Sequence, residues 1–216
     1  MHYLHISSAV CYPTGMSANH ADKLLCLAQA QPAVSARELA AAGVPSRVLS
    51  RMAASGRLRR VGRGLYTGIE TSPSAHQSVI EVVKQAPKAV VCLLSALEIH
   101  EVGVQAPFEV WIALPAGTHA PRGTGTAIRV TRLSGAAFSE GIETIMIDGA
   151  SVRVYNLAKT VTDCFKLRSK VGLDVALEAL RGAWKARKVT MDELSRYAKV
   201  NRMSNVMRPY LEALTG

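Results

Sequence analysis

Between Gly56 and Thr67 the chain reads Gly-Arg-Leu-Arg-Arg-Val-Gly-Arg-Gly-Leu-Tyr-Thr, the stretch that most narrows what it can fold into. Glycines 62 and 64 around Arg63 form the tip of a tight hairpin. Leu58, Val61, Leu65 and Tyr66 give its two short strands apolar groups to turn inward. Four arginines, Arg57, Arg59, Arg60 and Arg63, remain on a very small ribbon. Like charges on neighbouring strands repel, so the ribbon requires a counter-charge from outside, and nucleic-acid phosphates supply one. Arg59, Arg60 and Arg63 are the expected contacts, to phosphate or in a minor groove.

The residues ahead of the ribbon make the same demand. Leu24, Leu25, Leu27 and Ala28 recur at helical spacing from Ala18 to Ala30, and Pro32 stops that helix. Ser35 followed by Glu38 is a capping box opening a second helix over Ala36–Ala42. Gly43 closes it, and Pro45 suits the start of a third, over Ser46–Ser55. At 100° per residue, Val48, Leu49, Met52 and Ala53 fall on one side of this third helix, while Arg47, Ser50, Arg51 and Ala54 fall on the other. An outward face of guanidinium groups and short donors is what a major groove admits. A plain solvated face has the same composition, so the stripe gains its weight from the ribbon that follows. Helix, glycine turn, helix and basic hairpin, in that order, describe a winged helix-turn-helix, with Ser46, Arg47, Ser50 and Arg51 as its groove-facing residues.

Charge supports a polyanionic partner by its location. The formal net charge is +10. Residues 1–70 carry 8 Lys/Arg against 3 Asp/Glu, residues 71–150 carry 5 against 7, and residues 151–216 carry 13 against 6. Two basic regions thus flank a slightly acidic one. With 49% hydrophobic and 19% charged residues the chain is expected to fold throughout. The four cysteines, Cys11, Cys26, Cys92 and Cys164, have neither C-x-x-C nor zinc-ligand spacing, so no metal is expected and reduced thiols are. No apolar run reaches the roughly 18 residues of a membrane span, and the N-terminus lacks the basic start of a secretory signal. The chain reads as cytoplasmic. Residues 1–15 before Met16 read as an upstream extension, with an ordered arm as the alternative.

The remainder reads as a mixed α/β domain ending in helices. Helices are expected over Ser74–Ala86 and Cys92–His100, strands over Phe108–Leu114, Ala127–Leu133, Glu143–Ile147 and Ser151–Val154, and helices over Leu157–Arg168 and Leu173–Lys188, with a kink at Pro209. The fold class is therefore α+β. Its parts are an N-terminal extension (1–17), the winged unit (18–70) and the larger domain (71–216). In the helix from Leu173, the residues Leu173, Leu177, Leu180 and Trp184 should face inward. Arg181, Lys185 and Lys188 form a basic line that either touches outlying DNA phosphates or is simply solvated. Lys159 and Asp163, at i and i+4, have the spacing of a helix ion pair, with a catalytic pair as the alternative. His100 between Glu98 and Glu101 does not converge on one point. There is no phosphate-binding P-loop, GxSxG elbow, HExxH or nuclease-type carboxylate cluster, so no catalytic residue and no cofactor is assigned.

Taken together these segments resemble the AbiEi-type antitoxins, the regulator half of bacterial type IV toxin–antitoxin or abortive-infection pairs. The resemblance spans roughly residues 20–214. It is carried by Gly43-Val44-Pro45, Arg60–Tyr66, Leu94–His100, Pro107–Pro115, Lys159–Phe165, Gly172–Leu180 and Arg208–Glu212. It implies a DNA-binding repressor of its own operon, acting on double-stranded operator DNA that is often arranged as inverted repeats. It also implies an antitoxin to a genetically linked nucleotidyltransferase-like toxin, without requiring direct binding between the two. Three other readings stand beside it: a solitary DNA-binding regulator, a larger domain that is an enzyme modifying the toxin, RNA or a nucleotide, and a purely structural interaction module. The sequence shows no dimer seam.

Overall fold

The glycine and capping signals act within a turn of where they stand, and they organise the first unit. The computed structural model describes residues 19–69, 74–103, 107–121 and 125–214. The extension expected over residues 1–17, with Cys11, lies outside them. The chain divides into two units, one ahead of Ser74 and one from Ser74 onward.

In the first unit α1 (His20–Ala30) is followed by β1 (Val34–Ser35), α2 (Ala36–Ala41), α3 (Ser46–Ala54), β2 (Leu58–Gly62) and β3 (Leu65–Gly68). The capping box at Ser35 is formed. Glu38 N donates to Ser35 Oγ at 3.2 Å, and Ser35 N donates to Glu38 Oε2 at 2.7 Å. Gly43 takes φ +79°, in the left-handed region that suits glycine. This lets Val44 N reach back to Leu39 O at 2.9 Å and close α2. β2 and β3 pair antiparallel, with a register shift between Arg60 and Gly62. The sequence did not announce β1, because two residues carry no alternation. It adds a third strand on the far side of β3, and Ala36 N extends the pairing to Gly64 O at 2.7 Å. Leu24, Leu39, Val48, Leu49, Met52 and Leu58 close the core between helices and sheet.

The second unit contains α4 (Gln77–Gln85), β4 (Val90–Val91), α5 (Leu93–Ile99), β5 (Val110–Pro115), β6 (Ile128–Leu133), α6 (Ala136–Ser139), β7 (Ile142–Ile147) and β8 (Ala150–Tyr155). Then come α7 (Leu157–Lys166), α8 (Arg168–Val171), α9 (Leu173–Lys185), α10 (Met191–Val200) and α11 (Ser204–Glu212). The five strands form one mixed sheet in the order β6-β5-β4-β8-β7. Its centre is β4, two residues long, antiparallel to β5 and parallel to β8. Strand alternation sorts the two faces. Val90, Trp111, Ala113 and Tyr155 turn to the side covered by α5, α7, α9, α10 and α11. Val91, Val110, Ile112, Leu114, Val152 and Val154 turn to α4, which presents Val79, Val82 and Val83.

Two expectations for the helices are corrected. α9 buries Ala176, Ala179, Leu180 and Ala183, whereas Leu173 is 39% exposed and Leu177 and Trp184 are only half-buried. The small residues let α9 approach its neighbours closely, so the buried stripe is rotated from the one that large side chains alone suggest. A Cβ on Gly182 would already lie 3.2 Å from Val102 Cγ1. α9 also ends at Lys185 rather than Lys188, where Arg187 adopts φ +54°. Pro209 lies within α11.

Candidate nucleic-acid interface

α3 is divided by its packing. Val48, Leu49 and Met52 are buried against the first unit's core, and Ala53 is half-buried. Ser46, Arg47, Ser50, Arg51 and Ala54 are all exposed on the opposite side. Pro45 precedes the helix with φ −65° and ψ 142°, and among the described residues no side chain caps its first turn. At its other end Gly56, at φ +72°, donates to Ala53 O at 3.2 Å, and Arg57 N donates to Met52 O at 3.0 Å. This glycine closure passes the chain straight into β2, so the ribbon begins within four residues of the end of α3.

On the ribbon Leu58 is buried, while Arg57, Arg59, Arg60 and Arg63 are exposed. The turn itself is Arg63-Gly64, with Gly64 at φ +67°. Arg59 pairs across from Thr67 and Arg60 from Tyr66. As successive strand residues, Arg59 and Arg60 leave the ribbon on opposite faces. Arg60 Nε donates to Gly62 O at 3.1 Å, which folds its stem over the bulge. Of the three ribbon arginines expected as contacts, Arg59 and Arg60 are thus presented in different directions. Among the described residues none of them has an acidic partner within 4 Å.

The basic line of the second unit is broken up. Arg181 and Lys185 stand exposed on α9. Lys188, beyond the helix end, donates from Nζ to His100 O at 2.7 Å and lies 3.8 Å from Glu101 Oε2. That carbonyl is at the C-terminal end of α5, where a cation is favoured by the helix dipole. His100 Nε2 sits 2.8 Å from Tyr155 O and 3.6 Å from Glu143 Oε1, a local tie between α5 and the end of β8.

Lys159 and Asp163 form the ion pair their spacing suggested, in a setting the spacing did not show. Both lie on α7, whose residues from Leu157 to Phe165 are all buried. Lys159 Nζ donates to Asp163 Oδ1 and Oδ2, each at 2.6 Å. Asn201 Nδ2, from the end of α10, donates to Asp163 Oδ1 at 2.7 Å and to Thr162 Oγ1 at 3.0 Å. The Lys159 ammonium also lies 4.3 Å from the centre of the Tyr155 ring. Two donor groups converge on the carboxylate in three hydrogen bonds, which matches its ionised form. Burial pushes the Lys159 ammonium down and the Asp163 carboxyl up, and their mutual attraction opposes both shifts. Sealed from solvent, the pair joins α7 to α10. The Cys92 and Cys164 thiols nearby are also pushed well up by burial. Among the described residues no His, Cys, Asp and Glu group could hold a metal ion, and no helix is long and apolar enough to cross a membrane.

Residues 22–67 match the family described as "Transcriptional regulator, AbiEi antitoxin". The match runs from the first turn of α1 into β3, and so takes in α3 and the basic ribbon. Among solved structures, the chain is similar to the crystal structure of the RV2827C protein from Mycobacterium tuberculosis. The TM-score is 0.56 at 12% sequence identity, over 87% of this chain and 74% of that chain. At that identity the likeness is one of fold. No curated protein matches the sequence.

Proposed function

We propose that this chain is a transcriptional regulator whose first unit binds double-stranded DNA as a winged helix-turn-helix. The observation that carries the proposal is the sorting of α3: its apolar residues are spent on the core, and Arg47, Ser50 and Arg51 stand together on the exposed side. In this reading α2 and the Gly43 turn brace α3 across a major groove. Arg47, Ser50 and Arg51 meet base edges, with Ser46 at the phosphates beside the uncapped helix start. β2 and β3 are the wing. Arg63 at its tip and Arg59 and Arg60 on its two faces reach the backbone or the adjoining minor groove. The match of residues 22–67 to a regulator family supports the same reading.

Footprinting the full-length protein on the promoter region upstream of its own gene tests this. A discrete protected site, outcompeted by unlabelled site but not by scrambled duplex, is the expected result. Equal competition by scrambled duplex would reduce the unit to a general polyanion binder.

As part of the same proposal, the second unit takes the antitoxin role against a linked nucleotidyltransferase-like toxin, and the protein acts in the cytoplasm without catalytic activity of its own. The sealed state of Lys159 and Asp163 favours this over the enzymatic alternative. Arg181 and Lys185 are the outlying phosphate contacts in this scheme, and Lys188 contributes less because its ammonium already serves His100 O and Glu101. Co-expression of a full-length Arg47→Ala/Arg51→Ala protein with the toxin separates the roles. Growth rescue without DNA binding supports neutralisation by the second unit. Absence of a toxin gene beside this one would favour a solitary regulator.

A further inference from the structure

The two edges of the five-stranded sheet are built differently. β6 reads Ile-Arg-Val-Thr-Arg-Leu and carries two exposed arginines. Arg129 is held by Glu109 at 2.7 and 3.3 Å and lies over Trp111, and Arg132 donates to Thr118 O. Cations of this kind discourage another strand from adding to an edge. β7, at the opposite edge, reads Ile-Glu-Thr-Ile-Met-Ile. It contains no Lys, Arg or Pro, and its register with β8 runs without a bulge through all six residues. Its one charged side chain, Glu143, is turned to His100 Nε2 at 3.6 Å. Thr144 is exposed, and Met146 is 67% exposed, high for a large apolar side chain.

The hairpin geometry says which backbone groups this edge offers. β7 and β8 are joined by a two-residue turn, Asp148-Gly149, with φ +46° and +76°. In such a hairpin the flanking pair, Ile147 and Ala150, is hydrogen bonded, and bonding then alternates along the strand. Asn156 N donating to Gly141 O at 2.8 Å continues that odd-numbered series. The N–H and C=O groups of residues 142, 144 and 146 therefore point away from β8. Among the described residues no strand lies beyond them.

We infer that β7 is a pairing edge for a second copy of this chain, joined antiparallel about a two-fold axis at Ile145. This register opposes Thr144 to Met146 of the partner, brings both residues' outward backbone groups into hydrogen-bonding range, and sets Glu143 against Ile147. No like charges face each other across the axis, so the edge meets its own copy without charge repulsion. An isologous contact of this kind closes on itself and is the commonest oligomer symmetry. Six residues a side bury less than a standard interface of roughly 1,600 Å², so the dimer is a weak one that forms in the micromolar range or above. The inference concerns the second unit alone and does not depend on DNA binding.

Sedimentation velocity of the full chain from about 1 to about 200 µM is the test. The wild type is expected to move toward twice the monomer mass as concentration rises. Thr144→Lys/Met146→Lys sets lysines against lysines in both outer pairs and should remain monomeric. Both positions are exposed, and an unchanged melting temperature verifies that the fold is intact; Thr144→Lys alone is the milder second variant. Thr144→Lys/Met146→Glu places opposite charges across the axis and should restore dimerisation. A wild type that stays monomeric throughout, or a double-lysine variant that dimerises like the wild type, overturns the inference. Failure of the opposite-charge variant to recover overturns the register centred on Ile145.

Discussion

Lys159 Nζ stands 2.6 Å from both carboxylate oxygens of Asp163, one helical turn further along α7, and the two side chains are at most 1% exposed. Removing one member strands the other charge in an apolar interior. Asp163→Ala is expected to destabilise the chain by about 3–5 kcal/mol. Replacing both residues, as Lys159→Met/Asp163→Leu, should recover most of that loss, because a buried pair and an apolar pair of similar size differ little in net stability. Urea unfolding of the two variants checks this. A double variant no more stable than the single one would mean that the damage comes from packing rather than from the stranded charge.

Gly141 is held at φ +75°, and an added Cβ would sit 2.8 Å from Lys159 Cβ and 2.9 Å from its Cγ. Among the described residues, nothing lies within 4 Å of the same position at Gly117, which has φ +80°. Alanine at Gly117 should cost about 1–2 kcal/mol, the backbone strain alone. Alanine at Gly141 should cost a further 1–3 kcal/mol or so for overpacking. Equal melting temperatures for the two variants would show that α7 can yield at Lys159.

Arg51 lies on the exposed side of α3 between Ser50 and the buried Met52. With bidentate contact to a guanine, Arg51→Ala loses about 1–3 kcal/mol of binding and relaxes preference at one base pair. Titrations against the footprinted site and its single-base variants read this directly. A loss equal on every sequence assigns Arg51 to phosphate instead.

Arg59, Arg60 and Arg63 are expected to contribute through counterion release. For every phosphate that is no longer neutralised, the slope of log affinity against log salt should become shallower by about 0.9. The triple alanine variant is measured by fluorescence anisotropy across a salt series. An unaltered slope removes the ribbon from the interface.

Cys92 and Cys164 are fully buried, and burial holds both thiols above their ordinary range. Alkylation depends on the thiolate and on access to it. In the native protein at neutral pH, iodoacetamide should leave both unmodified, and both should react once urea unfolds the chain. Peptide mass mapping before and after unfolding reads the difference. Native labelling at Cys164 would reveal that α7 opens.

The features legible in the amino-acid order were those decided within one or two helical turns. Ser35 and Glu38 specify the start of α2, Gly43 its end, and the residues of α3 divide into buried and exposed sides as their angles require. The basic hairpin was legible because its glycines and its charge lie within twelve residues. Other features needed partners distant in sequence. Val90 and Val91 become the centre of a sheet only because β5 and β8 arrive on either side, and two residues have no period from which to read a strand. The rotation of the buried stripe on α9 follows from how closely its alanines let neighbouring helices approach. Lys188 is drawn out of a helical line by a carbonyl 88 residues away in sequence. The spacing of Lys159 and Asp163 determined that they could pair; whether that pair faced solvent or lay sealed was decided by α10 and Asn201, since burial is a property of everything packed around a side chain and not of its neighbours along the chain.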